Sequence, residues 1–253
     1  MIAAVLILVP TVKADSGNSF QIGAYADGGS QGNFGVQVEI RTHIYSSNPG
    51  DFDYFWVGDD LANGGFIQFG YSFSPGRYCL QGEIVAGTVA TCPGGSANIG
   101  LSDARWQWEY WPNENGDTNY LGIGPSNSAG SNGTWHSYSI LPNTNDGWDF
   151  VLDGQRVASV SFTPSQSINA AYFVAEKVTS SNPETLGPVE FRNLAYLTSN
   201  GWQTAIQLYT VYDCGLSTIC EVFNPYGLSL LGPNDVIAGF GLPVPKAGVQ
   251  RIL

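Results

Sequence analysis

The chain is 253 residues long, carries a formal net charge of −12, and only 12% of its residues are charged. An acidic balance of this kind, produced by scarce Lys and Arg, excludes nucleic acid and anionic membrane as partners, because both would repel it. Gly (32), Tyr (13), Phe (13) and Trp (7) are abundant, which is the composition of a strand- and turn-rich chain long enough to bury a β-sandwich core without a metal.

In chain order, residues 1–14, MIAAVLILVPTVKA, come first. Their apolar run and small-residue end resemble a secretory signal whose basic front end is missing or unusually short, so export is expected, with a buried first strand as the alternative. No later segment approaches the ~18 apolar residues of a membrane span, so no membrane association is expected once the signal is removed. Strand-like runs then recur at about 20–55, 65–73, 79–90, 105–111, 134–141, 147–152, 156–163, 171–178, 188–197 and 203–213. Turn clusters such as Ser46-Ser47-Asn48-Pro49-Gly50 and Pro93-Gly94-Gly95 separate them. Asp153-Gly154, between GWDFVL and QRVASVSF, is a two-residue hairpin signal, since both positions favour positive φ. Long strands apolar on both faces predict an all-β fold, two packed antiparallel sheets, over residues 15–199. Residues 200–253, with a Gly/Pro-rich GLPVPKAGV tail, read as an appendage packed on the sandwich or as a linker.

Four cysteines fall into local pairs, Cys79/Cys92 and Cys214/Cys220. Three connectivities are open, and the short loops favour pairing within each pair, as disulfides of an exported protein. With only His43 and His136 and no CxxC spacing, the usual zinc ligands are missing, and no metal or other cofactor is expected. Asn132-Gly133-Thr134 is an acceptor pattern for N-glycosylation. A serine or cysteine nucleophile needs an imidazole beside it. Both histidines read instead as surface or edge residues. No Glu-x-Asp or Glu-x-Glu pair lies on one strand face, which counts against a sandwich glycosidase.

Three strands embed a polar group among aromatics. In Phe66-Ile67-Gln68-Phe69-Gly70-Tyr71, two-residue alternation puts Gln68 on one face with Phe66 and Gly70. In Trp106-Gln107-Trp108-Glu109-Tyr110-Trp111 it puts Gln107, Glu109 and Trp111 together, opposite Trp106, Trp108 and Tyr110. The third, Ala171-Tyr172-Phe173-Val174-Ala175-Glu176, ends in a carboxylate.

With FWVGDD and the segment running to Val189-Glu190-Phe191-Arg192-Asn193, these strands resemble, in order, the blocks of the glutamic peptidases, or eqolisins. In that family the blocks look like AWVGIDG, ILQTG, AWYEWYP and AEWIVED, followed by a strand of the type VTFTNA. The resemblance spans roughly residues 20–197 and implies a concanavalin-like sandwich with a Gln/Glu catalytic dyad. Gln68 matches the glutamine of the LQTG block and Glu176 the glutamate closing WIVE. Trp56, Asp60 and Glu109 match positions lining the cleft. The chain departs from the pattern at Gln107, where the family has tryptophan, at Arg105, where it has an acidic residue, and at Phe69, where it has threonine.

The implied activity is a secreted, acid-active endopeptidase acting on polypeptide. A carboxylate can take a proton from water and pass it to the departing amine, while a carboxamide steadies the oxyanion without titrating. Two other readings compete: a non-catalytic concanavalin-like module binding sugar or peptide through Gln68, Glu109 and Trp111, and a subunit of an extracellular filament or surface layer.

Overall fold

The computed structural model describes residues 18–27, 35–45, 52–61, 65–73, 84–85, 103–111, 120–144, 147–160, 167–179, 186–205, 209–213, 226–232 and 234–242. In chain order, the strands are β1 (Asn18–Asp27), β2 (Gly35–Arg41), β3 (Phe52–Leu61), β4 (Phe66–Phe73), β5 (Ile84–Val85), β6 (Arg105–Trp111), β7 (Tyr120–Ile123) and β8 (Trp135–Asn143). They continue as β9 (Gly147–Leu152), β10 (Gln155–Val160), β11 (Ser167–Thr179), β12 (Val189–Thr198), β13 (Gly201–Thr204), β14 (Tyr209–Asp213), β15 (Tyr226–Gly232) and β16 (Asp235–Phe240). No helix occurs among the described residues.

Two sheets form. The first has the order β14-β1-β11-β3-β4-β6-β7-β5, and the second β10-β9-β8-β2-β12-β16-β15, with β13 pairing the far part of β12. All pairings are antiparallel except β5 with β7. The run expected at about 20–55 is three strands, and β1, β2 and β3 alternate between the sheets. The described residues beyond 200 pair into the sandwich. They add β14 to the edge of the first sheet and β15 and β16 to the second, so the described part of this region completes both layers. The predicted hairpin is present: Asp153 (φ 49°) and Gly154 (φ 77°) join β9 to β10, the left-handed pair that a two-residue turn requires. The signal segment, Cys79, Cys92, Cys214 and Cys220 lie outside the described residues.

The core lies between the inner faces, and it is aromatic. Phe69 meets Tyr138 across the layers with ring centroids 5.2 Å apart, Trp108 stacks on Phe150 at 4.9 Å, and Phe173 stacks on Phe191 at 5.0 Å. Trp106, Trp108 and Tyr110 point into this core, as alternation predicts, which sends Gln107 and Glu109 to the outer face. One ion pair is sealed in the protein: Lys177 Nζ lies 2.9 Å from Asp53 Oδ1, each side chain 0% exposed, joining β11 to β3 at directly paired positions.

Candidate active site

Residues paired directly across antiparallel strands carry their side chains on the same face, so strand register maps the outer face of the first sheet. One transverse row runs Arg105, Ser72, Tyr54, Glu176. The next runs Gln107, Gly70, Trp56, Val174, Gly23, and the third Glu109, Gln68, Gly58, Tyr172. Gln68 and Glu176 therefore share one face, two strands and two rows apart. Flat-sheet spacings put their Cα atoms about 16 Å apart, so the two groups act on a common atom only through a molecule lying between them.

Trp56 occupies the intermediate row. Its indole Nε1–H donates to Glu176 Oε2 at 3.0 Å, fixing the carboxylate. Its ring packs edge-on to Phe66 at 5.4 Å, and Phe66 in turn meets Tyr172 at 6.2 Å. A Cβ at Gly58 would fall 2.8 Å from both Trp56 Cζ3 and Phe66 Cζ, so only glycine lets these rings close over β3 beside Gln68. Tyr54, which the sequence did not single out, donates its hydroxyl to the backbone carbonyl of Gln107 at 2.9 Å. Its position two residues before Trp56 made it legible as a member of the same face. Gln107 donates through Nε2 to Glu109 Oε1 at 2.6 Å.

The family resemblance implied a cleft on this face. Instead the face is closed: Gln68 is 1% exposed, Glu176 5% and Glu109 8%. The Gln68 carboxamide oxygen has no hydrogen-bond partner among the described residues, an arrangement that costs about 1–3 kcal/mol for a buried acceptor. Asp60 on β3 and Trp111 on β6 are both backbone register partners of Phe66 on β4. Arg105 is tied to Asp103 at 3.1 Å. Burial pushes the Asp103 carboxyl up, but bonds from the Ser126 hydroxyl, the Asn127 N–H and Arg105 outweigh it and hold Asp103 below the usual carboxylate range.

The histidines lie elsewhere. His43 follows β2, and its backbone N–H donates to the Tyr71 hydroxyl at 2.9 Å. Burial, with the Arg41 charge beside it, holds the imidazole below its ordinary pKa. His136 is more than an edge residue: Nδ1 lies 2.6 Å from Asp153 Oδ2 and Nε2 3.0 Å from Thr134 Oγ1. The order hydroxyl, imidazole, carboxylate is that of a nucleophilic triad. However, Thr134 donates its proton to Ser131 O at 2.6 Å, and the Thr134 and Gly133 N–H groups are spent on Ser131 O and Thr42 O. The hydroxyl is turned away from the base, and the arrangement ties the 131–134 turn to the β9–β10 hairpin. In that turn Asn132 is exposed, and its Oδ1 accepts from Ile44 N–H at 3.0 Å.

No family model matches the chain, and no curated protein matches it. Among solved structures, the fold is similar to scytalido-glutamic peptidase crystallised with a peptide-based transition state analog, at 16% identity and TM-score 0.51, covering 89% of this chain and 98% of that one. SCP-B, a member of the eqolisin family of peptidases in complex with the tripeptide Ala-Ile-His, matches at 14% identity and TM-score 0.48 over the same shares. A Bacillus licheniformis β-glucanase matches at 13% identity and TM-score 0.35, covering 82% of this chain and 66% of that one. The chain shares its fold with the glutamic peptidases: an all-β, concanavalin-like sandwich.

Proposed function

We propose that the protein is a secreted endopeptidase that hydrolyses peptide bonds in acid, with Glu176 as general base and Gln68 as oxyanion donor. One observation carries this reading: a carboxylate fixed by an indole N–H and an under-bonded carboxamide share one face of the first sheet. Glu176, ionised, takes a proton from a water molecule, and the water oxygen attacks the scissile carbonyl. Gln68 Nε2–H donates to the oxyanion, an interaction worth roughly 3–4 kcal/mol in comparable sites. Glu176 then gives the proton to the leaving nitrogen as the C–N bond breaks, returning to its starting state. No metal or cofactor enters. The base is useless once protonated, so activity has an acid limb. It needs no histidine, so it persists where imidazole would be charged.

Because the dyad is 1–5% exposed, hydrolysis requires the face to open to a peptide. This burial is what favours the second reading, a sandwich that binds or assembles without cleaving. One experiment separates them. Wild type should cleave an unfolded protein at low pH, while Gln68→Ala and Glu176→Gln, each retaining the β-sheet circular dichroism of wild type, should not. Cleavage surviving in both variants would remove the dyad, and absence of cleavage by wild type would leave the binding reading. Two carboxylates on the face do not make a glycosidase. Glu109 and Glu176 are three strands and two rows apart, not the close pair that glycoside hydrolysis uses.

A further inference from the structure

We propose that Gln68, Gln107 and Glu109 form a subsite for a cationic side chain, lysine or arginine, on the substrate residue beside the scissile bond; this rests on the peptidase reading above.

Glu109 and Gln68 are direct cross-strand partners on β6 and β4, and such pairs bring Cβ atoms to about 5 Å. Gln107 lies two residues from Glu109 on the same strand face, and its amide N–H is committed to Glu109 Oε1. That bond aims the carboxylate and takes one of the two N–H donors of the Gln107 amide. Gln68 contributes a buried carbonyl oxygen with no donor. The site thus offers a cation two acceptors, the Glu109 carboxylate and the Gln68 amide oxygen, and a buried acceptor without a donor is rare in native structures. On the β3 side, the rings of Trp56 and Phe66 close over Gly58. A carboxylate, an amide oxygen and aromatic rings together recognise a cation with N–H donors carried on an apolar stem.

The rest of the molecule is consistent with that choice. Arg105, the cation at the near end of the same strand, is paired with Asp103, and the net charge of −12 attracts basic segments over distance. The carboxamide of Gln68 can serve both tasks at once. Nε2 faces the scissile carbonyl and Oε1 accepts from the cationic side chain, so the specificity group would also lock the orientation of the catalytic amide.

The test uses two peptides that differ only in lysine or its uncharged isostere norleucine beside the cleaved bond. Wild-type protein should favour lysine at least about tenfold in kcat/KM, the scale of one charge-assisted hydrogen bond. Glu109→Gln should move that ratio toward one, and Gln107→Leu, which releases the carboxylate, should lower it as well. Binding of both peptides to Glu176→Gln, followed by tryptophan fluorescence, gives the same comparison without turnover. A lysine preference in binding with no cleavage by wild type keeps the subsite and removes the peptidase. Equal cleavage of both peptides, abolished by Glu176→Gln, keeps the peptidase and removes the subsite. A ratio near one in both assays, a ratio that Glu109→Gln leaves unchanged, or no binding of either peptide overturns the proposal.

Discussion

The Lys177–Asp53 pair offers a test of the architecture behind the site that needs no substrate. The two groups are paired across β11 and β3, lie 2.9 Å apart and are 0% exposed. Lys177 follows Glu176 directly, so the pair anchors the strand that carries the proposed base, on the opposite face. At an effective dielectric of about 20, two unit charges at this distance attract by about 6 kcal/mol, and desolvation offsets much of that. Removing one partner is a different matter, because the other charge stays buried, and such truncations cost about 3–5 kcal/mol. For a domain of this size each kcal/mol moves Tm by about 2–4 °C, so Lys177→Met should lower Tm by about 6–20 °C. The double variant Asp53→Leu/Lys177→Met removes both charges and should recover most of that loss. Thermal and urea unfolding followed by circular dichroism measure both. If Lys177→Met unfolds with wild type, or if the double variant is no more stable than the worse single one, the pair is not a buried, mutually compensated unit, and the inferred rigidity behind Glu176 has no basis.

Trp56→Phe keeps a ring but deletes the indole donor to Glu176 Oε2. Loss of a hydrogen bond to a charged group is worth about 1.5–3 kcal/mol, so kcat/KM on a peptide should fall roughly ten- to a hundredfold, with Tm changed far less than in the Lys177 variants. Gly58→Ala places a methyl 2.8 Å from the Trp56 and Phe66 rings and from Ile67 O, and overpacking of this kind should cost about 1–3 kcal/mol in urea unfolding. Asp103 gives a pH signature. Its folded-state pKa is below its unfolded value, so its stabilisation is complete above the unfolded value and is lost as pH falls through the folded one. Asp103→Asn should therefore be less stable than wild type near neutrality, and the gap should close in strong acid. A gap independent of pH would show that charge is not the cause. His43 acts in the same direction. Its imidazole is held below its ordinary pKa, so the unfolded chain binds the proton first and stability declines as pH drops below that ordinary value. His43→Gln should flatten that decline in pH-dependent unfolding.

Much of this molecule could be read along the chain because β-structure has a period of two. Alternation alone put Trp106, Trp108 and Tyr110 on one side of β6 and Gln107 and Glu109 on the other, and turn chemistry alone located the Asp153-Gly154 hairpin. What alternation cannot supply is which strands become neighbours, since antiparallel partners are chosen by long-range packing. It therefore left residues 200–253 as either an appendage packed on the sandwich or a linker, and only strand pairing places β14 on the first sheet and β15 and β16 on the second. His136 could be assigned to a strand, yet its bond to Asp153 depends on a hairpin that returns beside β8.

By itself the sequence determined the residue types and their faces: an uncharged amide at 68, a carboxylate at 176, a tryptophan at 56, and aromatic strands able to make two layers. Only the tertiary structure decided that these lie in three successive rows of one sheet, that an indole holds the carboxylate, and that the face is buried. The physical reason is that side-chain direction follows from local backbone geometry, whereas row, depth and partner follow from how distant strands align and pack.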